Sequence, residues 1–270
     1  MEYDPIVILL LALGAGLYTR AIIRLRKRGY KVSVGQQSLW WIGMALMTFG
    51  LVGPPAAYSD QLFWAHMTEH LLIADLAVPF LLAGVRTPVG LFMPPKDLLV
   101  AIFKNRFLRR LGSFVTKPLV ALPLSALVLY GWHLAPAFTN ATQDPLIHAL
   151  QHQSFILASV LFWWPAIEPN RRPLPAPLWK IGYILAGRMA SILMGALFLV
   201  SNRPFYSGLY AKSDATFGIT PLADQQIGAS LMMTTDVIVM MTMLGIFFAL
   251  AAKEHDRKER AESARTSAST

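Results

Sequence analysis

Residues 61–83 read QLFWAHMTEHLLIADLAVPFLLA. The stretch is long and apolar enough to cross a bilayer, which takes ~20 mostly apolar residues. It nevertheless carries His66, Glu69, His70 and Asp75. An ionisable side chain at the bilayer centre costs ~2.5 kcal/mol or more on insertion scales, so such residues face a bundle interior or a wet cavity and mark function. The chain therefore reads as a membrane protein whose chemistry lies among the polar residues inside its spans.

Composition agrees with that reading. Of 270 residues, 55% are hydrophobic and 14% charged, where soluble domains carry ~25% charge. Seven stretches reach span length, at roughly 6–23, 38–57, 61–83, 118–135, 146–167, 178–200 and 222–251. The expected fold is an all-α integral membrane protein, a seven-transmembrane-helix bundle over residues 1–252 with a charged, disordered tail at 253–270. The opening MEYDP puts acidic residues ahead of the first apolar core and shows no small-residue cleavage site, so the first stretch is expected to remain a span. There is no cysteine, which leaves no disulfide, no thiolate ligand and no thiol nucleophile.

The net charge of +9 is distributed in a telling way. Segments 20–31, 86–117, 171–180 and the tail from Lys253 hold 21 of the 24 Lys and Arg residues. These are alternate connections, and Lys/Arg excess marks cytoplasmic loops. The N-terminus is thus expected outside and the C-terminus in the cytoplasm. The charge belongs to topology and to attraction of anionic lipid, not to nucleic acid. Within 94–112, PPKDLLVAIFKNRFLRRLG, apolar residues recur with helical period between Lys104, Arg106, Arg109 and Arg110. That pattern predicts an amphipathic helix over about 95–112, lying on the cytoplasmic interface.

With the direction of each span assigned, depth follows. His66 and His70 fall in the outer third of the third span, His133 at the outer end of the fourth, and His148 and His152 in the first two turns of the fifth. Two of these pairs are H-x-x-x-H, which on a helix projects both imidazoles from one face about 6 Å apart along the axis. A single such pair is weak evidence, because interior histidines are commonly just hydrogen-bonded. Two pairs and a fifth histidine at one depth favour a metal site. Imidazole suits zinc, copper, iron or nickel, and thioether sulfur favours Cu(I). Met67, Met232 and Met233 lie in the same layer, as do the carboxylates Glu69 and Asp224 with Gln225 and Gln226 beside the latter. These are candidates for ligands or for groups that orient ligands. Deeper, Asp75, Arg188 and Asp236 all fall near the midplane. Arg188 is expected to pair with one or both acids, either to fix helix packing or as a proton or ion relay.

The stretches HMTEHLLIADLAVPFLLAGVRTP (66–88), YGWHLAPAF (130–138), HALQHQSFILASVLFWWPAIEP (148–169) and LADQQIGASLM (222–232) resemble the multi-span cytochrome c oxidase assembly factor family typified by CtaG. The resemblance implies a multi-pass protein of the bacterial plasma (inner) membrane that matures haem-copper oxidase and is not an enzyme. Its cargo would be copper, and its partners an apo-oxidase subunit or a copper chaperone. The residues that match the family's polar pattern are His66, His70, His133, His148, His152 and Asp224. The residues by themselves leave open a copper transporter, a haem protein with two axial histidines, and a zinc-dependent membrane enzyme with Glu69 or Asp224 as base.

Overall fold

The computed structural model describes residues 5–170, 178–206, 208–210 and 217–267, and among them every regular element is a helix. In chain order these are α1 (Pro5–Lys27), α2 (Val34–Val52), α3 (Pro54–Tyr58), α4 (Phe63–His70), α5 (Ala77–Gly84), α6 (Val89–Phe92), α7 (Lys96–Lys104), α8 (Arg106–Val115), α9 (Pro118–Trp132), α10 (Ala135–Gln143), α11 (Pro145–Ile167), α12 (Leu178–Val200) and α13 (Pro221–Ser267). Among the described residues, six helical stretches are long and apolar enough to cross a membrane: Pro5–Lys27, Val34–Tyr58, Phe63–Gly84, Pro145–Ile167, Trp179–Val200 and Pro221–Arg257. Their outward faces carry large apolar side chains such as Leu9, Val34, Leu146, Leu193 and Ile238. That is the surface a lipid-embedded bundle presents.

The fourth expected span differs from its sequence reading. Residues 118–135 form α9 of 15 residues, followed by a turn and α10. At 1.5 Å per residue α9 rises ~22 Å, short of the ~30 Å hydrocarbon core. It reaches span length only together with α8, which meets it at 76°. α9 ends at Trp132, Leu134 is extended, and Pro136 sits in the first turn of α10. Proline is tolerated there because its missing N–H would have no helical partner.

Two other expectations are revised. The single amphipathic helix over 95–112 is two helices, α7 and α8, broken at Asn105. The Asn105 side chain accepts from the backbone N–H groups of Phe107 (2.9 Å) and Leu108 (3.1 Å), starting α8 afresh. The tail expected to be disordered from 253 continues α13 as helix to Ser267. Its composition explains this: 253–267 contains no Gly or Pro, and side chains four apart can pair along a helix face, as His255 and Glu259 do at 3.5 Å.

The span Phe63–Gly84 is not uniform. Between α4 and α5, residues Leu71–Leu76 form a π-helical stretch, a widened turn that recurs at functional sites. It separates the His66/His70 face from Asp75. Close helix contacts hold this span in the centre. A Cβ on Gly84 would stand 2.7 Å from the Trp40 Cα of α2, and one on Gly228 of α13 would stand 2.7 Å from the Phe63 ring. Small residues at such crossings are how membrane helices approach closely. α11 ends at Glu168, whose φ of 49° is left-handed and whose carboxylate pairs with Lys180 at 2.8 Å.

Candidate metal centre

α4 and α11 each present two imidazoles one turn apart, and the four rings face one another. Ring centroids are separated by 4.4 Å for His66–His70, 5.2 Å for His70–His152, 4.2 Å for His152–His148 and 5.3 Å for His148–His66. The histidines thus close a four-cornered ring between two helices. Within it, ligand atoms of His66, His70 and His148 lie within 4.8 Å of one another, and so do those of Glu69, His148 and His152. His148 belongs to both sets.

Both ring nitrogens of His66 and His70, and Nε2 of His148 and His152, are buried without a hydrogen-bond partner among the described residues. Leaving a buried polar atom unpaired costs ~1–3 kcal/mol, so a cluster of them needs a compensating interaction. Neutral imidazoles converging with free nitrogens supply one when a transition-metal cation is bound. Each triad keeps its ligand atoms within 4.8 Å of one another, close enough that they could share one ion at metal–nitrogen distances of roughly 2.0 Å. The residues therefore fit a metal. Glu69 is 2% exposed, with Oε1 3.5 Å from His152 Nε2 and Oε2 unpaired.

His133 stands beside this group and outside both triads. Its Nδ1 is 2.7 Å from the Leu129 carbonyl, and its ring touches Phe138 and Phe155. Those rings in turn cover His66 and His70 at 5.0 and 4.7 Å. The Tyr206 hydroxyl donates to the His133 carbonyl at 2.6 Å and the Tyr206 ring stacks on Phe138. Phe138, Phe155 and Tyr206 form the dry wall of the site. No periodicity singles them out in sequence, because an aromatic residue in an apolar span looks like ordinary filler.

Asp224 occupies a different place. Its two carboxylate oxygens accept the backbone N–H groups of Phe63 (2.8 Å) and Trp64 (2.9 Å). They satisfy the first turn of α4, where Leu62 offers no capping side chain. Gln225 is equally committed, accepting from Phe205 N–H at 2.7 Å and donating to the Phe198 carbonyl at 2.9 Å. Gln226 donates to the Leu199 carbonyl. Met67 and Met232 are buried in an apolar cluster with Phe63, Phe138 and Phe198. Asp224, Gln225 and Gln226 are thus taken up by backbone groups, and Met67 and Met232 pack among apolar side chains. Sequence reasoning missed Ser59 and Asp60, which lie with Glu69, His148 and His152 along a cleft of about 470 Å³.

Below the histidines, Arg188 Nη1 donates to Asp75 Oδ1 at 2.6 Å and to Asp236 Oδ1 at 2.8 Å. Asp236 is fully buried and Asp75 is partly open. A lone charge at this depth would be prohibitive, and the three residues compensate one another. Asp75, Arg188, Ser125, Ser159 and Ser191 also line a small cavity of about 80 Å³, separate from the cleft above.

Comparison with known proteins adds a family. The uncharacterized protein Mb0105 of Mycobacterium bovis and the uncharacterized protein MT0111 of Mycobacterium tuberculosis are each 24% identical over 251 residues, covering 87% of this chain and 36% of theirs. The uncharacterized protein ML1998 of Mycobacterium leprae is 22% identical over 260 residues, covering 91% and 38%. The chain thus spans a little over a third of the length of these relatives. No solved structure matches it. The model of the cytochrome c oxidase caa3 assembly factor family (Caa3_CtaG) matches residues 16–254, nearly the whole membrane portion, and the chain belongs to that family.

Proposed function

We propose that the chain is a membrane-embedded assembly factor that binds copper at His66, His70, His148 and His152 and delivers it to an apo-subunit of a haem-copper oxidase. The observation that carries this reading is the ring of four imidazoles, in which both nitrogens of His66 and His70 and Nε2 of His148 are buried without a hydrogen-bond partner among the described residues. Family membership supports the oxidase as the destination. In this reading the protein has seven spans, α8 and α9 together supplying the fourth. The N-terminus is outside, and the histidine ring opens toward the outer face of the bacterial inner membrane. The cargo is held by neutral nitrogen donors, which suit Cu(I) and Cu(II), and no covalent chemistry is asked of the protein.

Delivery is favoured over transport across the membrane by one feature. Arg188 ties Asp75 and Asp236 together in ion pairs, so the charged groups beneath the site are engaged with one another, and the cavity they line is separate from the cleft at the histidines. The test is made in cells that depend on a haem-copper oxidase. A strain lacking the protein should lose oxidase activity and regain it with the wild-type chain or with added copper. The His66→Ala/His70→Ala chain should restore activity only with added copper. Full rescue by the double variant in copper-poor medium would refute the proposal.

A further inference from the structure

The two triads are not equivalent. Glu69, His148 and His152 line the cleft between α1, α2, α3 and α11, whereas His66 and His70 do not reach it. The cleft's walls are largely apolar, with Leu10, Leu11, Met44, Met47 and Ile156; buried Ser59 also lines it, and its rim carries the exposed Asp60. From rim to interior the available donors run from Asp60, to the carboxylate-containing set of Glu69, His148 and His152, to the all-nitrogen set of His66, His70 and His148. His148 is half-buried and common to both sets, while His66 is fully buried. A carboxylate attracts and briefly holds a cation. An all-imidazole set buried behind aromatic rings retains a softer one.

We infer that this chain has two copper stations joined at His148, loaded sideways through the α1–α2–α11 cleft: an outer one of Glu69, His148 and His152, and an inner one of His66, His70 and His148. The inference rests on the copper-binding reading above. Transfer is ligand exchange alone. The ion keeps its bond to His148 while the bonds to Glu69 and His152 break and those to His66 and His70 form, with no change of oxidation state. Unloading follows the same path in reverse, so the acceptor takes copper from the cleft side.

Loading kinetics test this. Purified full-length protein in detergent is mixed anaerobically with Cu(I) buffered by bathocuproine disulfonate, and the loss of the coloured complex is followed. Ala149 is exposed on the cleft wall and is not a ligand. Ala149→Trp should reach the wild-type copper content, but far more slowly. The chain has no cysteine, so Ala149→Cys alkylated with N-benzylmaleimide after purification blocks the cleft of an already folded protein and should behave the same way. Glu69→Gln should load roughly tenfold more slowly to the same content. His66→Ala should load at the wild-type initial rate but hold copper more weakly. Wild-type protein that takes no copper would overturn both this inference and the copper reading. Wild-type protein that binds copper while both blocked forms load at its rate would overturn the lateral path alone.

Discussion

Asp224 shows how a residue's neighbours decide its role. An aspartate followed by two glutamines at the head of a span, in the same layer as five histidines, has the right chemistry for a ligand. Its carboxylate is instead taken up by the N–H groups of Phe63 and Trp64. Those partners lie some 160 positions away in sequence, so no local pattern could reveal them. As an N-terminal cap, Asp224 is worth ~1–2 kcal/mol. Asp224→Ala should lower the melting temperature of the purified protein by a few degrees and leave its copper content unchanged; copper loss without a change in melting would mean the carboxylate binds the ion. Arg188 was more legible, since a midplane arginine has to find an acid and only Asp75 and Asp236 lie at its depth. Arg188→Met alone leaves the buried Asp236 and the half-buried Asp75 without their counter-charge and should cost ~3–5 kcal/mol. Adding Asp75→Asn and Asp236→Asn should recover most of the lost thermal stability. A triple variant as unstable as the single one would show that packing around Arg188, not charge, is what matters.

At the scale of elements, the two H-x-x-x-H pairs are readable because four-residue spacing on a helix fixes their faces, and the structure brings the two faces together. What spacing cannot show is a change of helical register. The π-helical stretch Leu71–Leu76 lets one span aim His66 and His70 at α11 and Asp75 at Arg188. Deleting Leu72 rotates one half of the span against the other by about 100°, so the two sets of partners cannot both be kept. The deletion variant should melt lower and bind less copper than wild type. Unchanged behaviour in both measurements would show that the widened turn is dispensable. The shortness of α9 was hidden for a related reason. Residues 118–135 are apolar throughout, and hydropathy does not register the extended Leu134 that ends the helix. The break at Asn105 was likewise masked by the regular basic and apolar alternation on either side.

For the whole molecule, composition and basic-residue distribution point to a helical membrane bundle, and the described residues include six helices long and apolar enough to cross, with the bent α8–α9 pair beside them. The assembly brings His66 and His70 together with His148 and His152, about eighty residues later in the chain, behind a wall of Phe138 and Phe155. Everything proposed for the protein depends on that ring holding an ion. The most direct measurement is the copper content of detergent-purified protein after equilibration with Cu(I), wild type against His66→Ala/His70→Ala. Wild-type protein is expected to retain stoichiometric copper through gel filtration and the double variant to lose it. Equal copper in both forms, or none in either, would contradict the account.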